Sequence, residues 1–193
     1  MLTSHSSGSF KRKQKGFTLL EVIIVIAIVT ALSSMLLGYS QRNSQQLRLA
    51  TNQAKLASLM SRAKALSIQT FFQAQDPDEA ICGHGVRFDI ARQKAVIFRD
   101  VDTPGSGGSR CSREIGDYEY NSDRDSDLTG ELNELTLGAG GIELDSDGGY
   151  VIFVPPEPLV GFEGEAKSLS ATLTDGIITL TVSVNDNGQI ELK

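Results

Sequence analysis

The sequence predicts an α+β fold in which one long N-terminal helix packs on a mostly antiparallel β-sheet. Residues 17–72 are apolar or helix-forming, and the first proline in the chain is Pro77. From about residue 80 onward, apolar residues alternate with polar ones, which is the period of a β-strand. A long helix followed by a run of strands is the pattern of an α+β domain.

The chain of 193 residues suits one domain with an accessory element. Its composition divides it into a basic segment at 1–16, an apolar segment at 17–38, an amphipathic helical continuation at 39–75 and a β-rich globular domain at 76–193. Four of the 18 Lys and Arg residues lie in the basic segment, and all 24 Asp and Glu residues follow it, so the body is acidic. Because an acidic surface repels phosphates, no nucleic-acid partner is expected.

The apolar segment reads FTLLEVIIVIAIVTALSSMLLG and is long enough to cross a bilayer as a helix. The basic residues before it predict a cytoplasmic N-terminus and an extracytoplasmic domain. A cleaved secretory signal peptide would end in a small-residue site such as A-x-A, and no clear one follows. A signal anchor is an open alternative, in which the domain is a binding module that does not polymerise.

Glu21 is the charged residue inside the apolar segment. A carboxylate at this depth costs about 3 kcal/mol on insertion scales, and such residues usually serve a function. If the chain is cut after Gly16, Phe17 gains an ammonium group that can pair with Glu21 of its own or a neighbouring chain. The pair is favourable because either charge alone would be costly to bury. The alternative is a tolerated Glu that reaches toward the membrane interface.

The string KGFTLLEVIIVIAIV resembles the class III signal of type IV prepilins and type II secretion pseudopilins. In that family a membrane peptidase cleaves after the glycine and methylates the new N-terminal phenylalanine. The resemblance therefore implies processing at Gly16 and Phe17 and a role in assembly for Glu21. It further implies a pilin-like fold and a structural subunit, a minor pilin or a pseudopilin, rather than an enzyme.

The same resemblance implies the partners and the location of the chain. They are the prepilin peptidase, other pilin or pseudopilin subunits, an inner-membrane assembly platform and the lipid bilayer. The subunit is expected to wait in the membrane as a single-pass protein until an assembly machine moves it into a helical filament. A helix that is apolar all round must be buried in lipid or in protein, so this account is physically consistent.

The helix becomes amphipathic after residue 39. An apolar stripe with spacings of three and four residues is formed by Leu49, Leu56, Leu59, Met60, Ala63, Leu66 and Thr70. Such a stripe predicts packing on a sheet. The helix is expected to end before Pro77, because proline disfavours the α conformation in the residue that precedes it.

Strands are predicted at 86–90, 95–101, 131–137, 141–145, 150–154, 178–184 and 189–192. The pair Asn187-Gly188 predicts a hairpin between the last two. The segments GVRF and AVIF, followed late in the chain by GIITLTVSV, resemble the GspH/FimT-like minor pilin group. The final GQIELK lacks the basic tail of DNA-uptake members of that group, which argues against a DNA receptor.

Cys82 and Cys111 both follow the apolar segment, so the predicted topology places them where a disulfide is chemically permitted. The bond would close a loop of about 30 residues and stabilise the domain by about 3 kcal/mol. The alternative is two unrelated reduced thiols.

An acidic segment has the carboxylate spacing of an EF-hand calcium loop. Positions 1, 3, 5, 9 and 12 of such a loop are matched by Asp123, Asp125, Asp127, Glu131 and Glu134. Leu128 replaces the usual glycine, and no predicted helix pair flanks the segment. Calcium binding is therefore a hypothesis, set against a simple solvated loop, and no other cofactor is expected.

No catalytic residues are predicted. The sequence has no phosphate-binding loop, no Cys-x-x-Cys and no Ser-His-Asp set, so an anchored hydrolase is not supported. His84 lies two residues from Cys82, but a thiol–imidazole pair fails if that cysteine is in a disulfide. We expect His84 at a strand edge or in a turn.

Overall fold

The computed structural model of the chain describes residues 18–72, 80–102, 120–123, 125–138, 141–155, 159–164 and 166–193. The chain divides into two compact units between Asn43 and Ser44. Helix α1, at Leu19–Phe72, contributes residues to both. The second unit also contains every strand given below.

Thr18 starts helix α1. Its side-chain hydroxyl accepts a hydrogen bond from the Glu21 backbone N–H at 3.3 Å, and its carbonyl oxygen accepts one from the same group at 3.0 Å. A threonine in this position satisfies an N–H group that has no partner inside the helix. Glu21 is the acidic residue of the first turn, where its charge suits the helix dipole.

The described strands form two antiparallel sheets. In chain order they are β1 Ala80–Asp89, β2 Lys94–Asp102, β3 Ser126–Asp127, β4 Glu134–Thr136, β5 Glu143–Ser146, β6 Tyr150–Val154, β7 Leu159–Phe162, β8 Ser168–Thr174, β9 Thr179–Asn185 and β10 Ile190–Leu192. The first sheet has the order β3-β2-β1-β6-β7, with β4 also paired to β2. The second has the order β10-β9-β8-β5.

A two-stranded ribbon passes from one sheet to the other. Strands β5 and β8 pair in the second sheet, while β6 and β7 pair in the first. At the corner the Gly149 backbone N–H donates to the Glu163 carboxylate, and the Ser170 backbone N–H donates to the Asp147 carboxylate at 2.7 Å. These acids satisfy two backbone N–H groups where the ribbon bends from one sheet to the other.

The larger of two hydrophobic clusters lies between the helix and both sheets, and a smaller one is formed by Phe98, Tyr150, Ile152 and Val154. Buried residues of α1 in the larger cluster are Leu49, Leu56, Leu59, Met60 and Ala63. They pack with the inner faces of the sheets, among them Val86, Ile97, Val151 and Phe153 of the first and Leu169, Leu173, Val182 and Val184 of the second. The predicted helical stripe is therefore the side of α1 that packs on the strands, although its Leu66 and Thr70 are half-buried.

Gln93 links the two sheets at the edge strand β5. Its side-chain amide donates to the Leu144 carbonyl at 3.0 Å, and its side-chain oxygen accepts from the Leu144 backbone N–H at 2.6 Å. Gln93 has a φ of 53°, the one positive value at a non-glycine residue in the described part of the chain. The side chain thus pairs with β5 as a neighbouring strand would.

The structure confirms the α+β prediction of a long helix on antiparallel strands. It corrects the single predicted sheet, because the strands divide between two. Strands β3, β7 and β8 were not predicted. The central strand β8 reads SLSATLT, and its buried face carries only Leu169, Ala171 and Leu173, so its apolar signal is weak.

Candidate functional site

The first part of α1, here called the apolar half (residues 19–37), is exposed along its whole length. Leu19 is 79% exposed, Ile28 53% and Leu37 67%. In the part of the chain that the structure describes, α1 is the helix long and apolar enough to cross a membrane. Because apolar surface of this extent is unfavourable in water, it requires lipid or another protein as a cover.

Two hydroxyl groups of the apolar half form hydrogen bonds within the helix itself. The Thr30 hydroxyl donates to the Ile26 carbonyl at 2.9 Å, and the Ser34 hydroxyl donates to the Ala31 carbonyl at 2.8 Å. Glu21 is exposed in the first turn. Its carboxylate is thus the charged group that an apolar surrounding would have to accommodate, and such groups need a partner there. Gly16 and Phe17 lie outside the described residues.

The second part of α1, here called the docking half (residues 44–72), is fixed to the sheets by polar contacts beside its apolar stripe. The Gln53 side-chain amide donates to the carbonyls of Thr181 at 2.9 Å and Lys193 at 3.0 Å. The Lys64 ammonium group donates to the Gly188 carbonyl at 2.9 Å. These contacts set the position of the helix along β9, because each one joins a defined residue to a defined backbone group.

Ser67 connects the docking half to two strands of the first sheet. Ser67 is 2% exposed, and its hydroxyl donates to the Phe153 carbonyl at 2.7 Å and accepts from the His84 backbone N–H at 2.8 Å. His84 and Phe153 form the end pair of the β1–β6 ladder. The serine therefore sits where this ladder ends and satisfies one backbone group on each strand. Sequence analysis missed it, although Ser67 continues the stripe four residues after Ala63.

His84 is buried in the middle of the first sheet, which corrects the expectation of a strand edge or a turn. Strand β1 pairs with both β2 and β6 at this residue. Its Nδ1 atom is buried without a hydrogen-bond partner. Burial, and then the positive charge of Arg99, lower the pKa of His84 to about 4. The imidazole is therefore neutral near pH 7, and we see no catalytic partner for it among the described residues.

The predicted calcium ligands have separate roles in the structure. Asp125 accepts hydrogen bonds from the backbone N–H groups of Asn121 at 2.6 Å and Val101 at 3.2 Å. Asp127 pairs with Arg87 at 2.6 Å, and Glu134 pairs with Lys94 at 2.7 Å. Asp123 and Glu131 are exposed. No group of three or more His, Cys, Asp or Glu side chains is arranged for a metal ion in the described ranges. Calcium binding stays a prediction.

Cys82 is buried in β1, where the register with β2 shifts between Ile81 and Gly83. Cys111 lies outside the described residues, so the pairing of these two cysteines also stays a prediction.

Comparison with known proteins identifies the N-terminal segment. Residues 11–37 match the family model described as the prokaryotic N-terminal methylation motif. The match confirms the recognition of a type IV pilin-like N-terminal segment. The minor pseudopilin EpsH from the Type 2 Secretion System of Vibrio cholerae is a structural match at 14% identity and a TM-score of 0.43, covering 75% of this chain and 94% of that chain. No curated protein matches the sequence.

Proposed function

We propose that this chain, which carries the N-terminal methylation motif of type IV pilin-like proteins, is a structural subunit of a type IV pilus or type II secretion filament. The observation that supports the proposal is the match of residues 11–37, which spans the end of the basic segment and the apolar half of α1. In this proposal, cleavage after Gly16 creates a new N-terminus at Phe17, and the exposed apolar half then has to be covered. Lipid covers it first, and neighbouring subunits cover it in the filament.

Assembly depends on one electrostatic pair in this proposal. Cleavage after Gly16 gives Phe17 an ammonium group, one helical turn from the Glu21 carboxylate. Both groups lose their hydration when the apolar half is buried, and each then needs the other, because an unpaired charge in an apolar surrounding is costly. Pairing between Glu21 of one subunit and Phe17 of the next would also set the register of the filament.

The proposed location follows from the same segment. The N-terminus lies in the cytoplasm, the apolar half crosses the inner membrane, and residues after it lie outside the cytoplasm. The proposed partners are the prepilin peptidase, the assembly platform of the inner membrane and other pilin or pseudopilin subunits. In this oxidising location a disulfide between Cys82 and Cys111 is also proposed, and mass spectrometry with and without reductant would test it.

The decisive test is the mass of the mature N-terminus. Protein purified from membranes of its host should begin at methylated Phe17. Gly16→Val should block cleavage, since a branched side chain replaces the glycine at the cut. Gly8→Val, a change at another glycine of the same leader, should be cleaved normally. A functional protein that keeps its leader, or one cut beyond residue 38, would contradict the proposal and favour a plain anchor or a signal peptide.

A further inference from the structure

The charges of the second unit are unevenly distributed. The docking half of α1 contains Arg48, Lys55, Arg62 and Lys64 and no Asp or Glu. Residues 141–193 have the opposite bias, because their bases are Lys167 and Lys193 only, against a larger number of acids. The docking half is therefore basic and residues 141–193 are acidic, whereas the first sheet between them carries mixed pairs such as Arg87 with Asp127 and Lys94 with Glu134.

Three of the basic residues form a line along the exposed flank of the helix. Arg48, Lys55 and Arg62, here called the basic row, are seven residues apart, which is two helical turns and about 10 Å per step. All three are exposed. The Arg62 Nε atom donates to Asn133 Oδ1 at 3.0 Å. In the described part of the chain, no carboxylate forms an ion pair with Arg48 or Lys55.

Two acidic residues share the outer face of the edge strand β5. Glu143 and Asp145 are exposed and alternate with buried Leu144. The carboxylates nearby in the chain, Asp147 and Asp175, instead accept hydrogen bonds from backbone N–H groups. Glu143 and Asp145, here called the acidic row, form no ion pair with a Lys or Arg of the described segments.

The two rows belong to different elements of the molecule. The contact between Arg62 and Asn133 places this member of the basic row next to β4, which belongs to the first sheet. The acidic row follows β5, which is the edge of the second sheet opposite β10. Among the described residues, no ion pair joins the two rows.

We propose that the basic row of one copy docks on the acidic row of a second copy of this chain. The proposal rests on the proposed function as a filament subunit and names the surfaces that subunits use. Opposite charges steer two copies together and fix their register. The contact joins two different surfaces, so one copy of a bound pair keeps a free acidic row and the other keeps a free basic row. Such a contact does not close on itself and can build a helical array.

The experiment reverses the charges on one row at a time in the full chain, expressed with its assembly machinery. One variant carries Arg48→Glu with Lys55→Glu, and another carries Glu143→Lys with Asp145→Lys. A third variant carries all four changes. Lys167→Glu and Asp186→Lys are matched controls, because they reverse exposed charges outside both rows.

Two measurements test the contact between the basic row of one copy and the acidic row of another. The first is the amount of assembled filament, which should fall about fivefold or more in each one-row variant and return in the four-change variant. The second uses a carbodiimide, which condenses the Lys55 amine with a carboxylate to form an amide. In mixed isotopically light and heavy copies, mass spectrometry should find Lys55 joined to Glu143 or Asp145 of the other isotope. Higher salt should weaken both signals.

Wild-type assembly in the one-row variants, no recovery in the four-change variant, or cross-links within single copies only would overturn the docking proposal. Thermal unfolding of each variant shows that its domain is folded, and mixed copies of the two one-row variants should cross-assemble if the four-change chain fails to fold. Cleavage after Gly16 is measured in the same samples. Intact cleavage with unaffected assembly rejects the docking surfaces alone, whereas an uncleaved leader rejects the proposed function.

Discussion

The two halves of helix α1 differ in what covers their apolar side chains, although they form one continuous element. In the apolar half every side chain is exposed, and nothing in the described chain covers it. In the docking half Leu56 and Met60 are fully buried, and Ser67 is bonded to two strands. The docking half is therefore stabilised by the molecule's own sheets, while the apolar half depends on what surrounds the molecule.

This contrast separates assembly from folding. Changes in the apolar half should alter insertion and filament formation and leave the unfolding of the globular part unchanged. Changes in the docking half should alter unfolding first. The predictions below test this division, from the largest expected effect to the smallest.

Glu21→Ala should have the largest effect. It removes the proposed partner of the Phe17 ammonium group, so filaments seen by electron microscopy should fall to background while Tm stays unchanged. Ser34→Ala is the control, because within the described residues the Ser34 hydroxyl donates to the Ala31 carbonyl of its own helix. Normal filaments in Glu21→Ala would show that the carboxylate has no role in assembly.

Leu56→Ala should destabilise the second unit. Leu56 is 0% exposed, and removing its side chain leaves a cavity that costs about 2–5 kcal/mol of unfolding free energy. Leu47→Ala, at a residue that is 70% exposed on the same half, should change it by less than about 0.5 kcal/mol. Equal Tm values for the two variants, measured by thermal unfolding in detergent, would mean that the stripe does not pack as described.

His84 should make stability depend on pH. Its pKa is lowered to about 4 in the folded chain, whereas 6.5 is the ordinary value expected after unfolding. Between these values the unfolded state binds a proton that the folded state does not, so stability is full above pH 6.5 and falls as the pH drops toward 4. The free energy of unfolding is expected to fall by about 3 kcal/mol over this pH range. His84→Gln should flatten this part of the denaturation profile, and an unchanged slope would contradict the assignment.

Ser67→Ala should have the smallest of these effects. It leaves the His84 N–H and the Phe153 carbonyl without the serine hydroxyl, at a cost of about 1–3 kcal/mol. Ser61→Ala is the matched control, because the exposed Ser61 hydroxyl donates only to the Ala57 carbonyl of its own helix. The difference between the urea midpoints of the two variants measures how much the Ser67 hydroxyl stabilises the contact between helix and sheet. Equal midpoints would show that this hydroxyl does not stabilise the fold.

Most of the fold was predictable because its signals are local. The apolar run of α1, its stripe from Leu49 to Ala63 and the Asn187-Gly188 hairpin each depend on neighbouring residues. The N-terminal motif was predictable for the same reason, since it is a short string. Strand β8 was harder, because Ser and Thr fill its outer face and Ala171 occupies one of three buried positions.

The remaining features depend on contacts between distant residues. In the sequence, Ser67 looks like an ordinary polar residue of a helix. Its role is visible only in the structure, where β1 and β6 lie next to it. His84 follows Cys82 in a short polar stretch, so its burial appears only when strands pair on both sides. The division into two sheets follows from the bend at Gly149 and Glu163, which no period in the sequence marks.

The amide of Gln93 has a consequence for the edge of the second sheet. An edge strand with free backbone groups is a template for growth by strand addition, the route by which amyloid forms. Gln93 occupies that position on β5 at Leu144. The backbone of a second copy therefore cannot pair with β5 at this residue unless it displaces the Gln93 amide, which protects this edge against aggregation by strand addition.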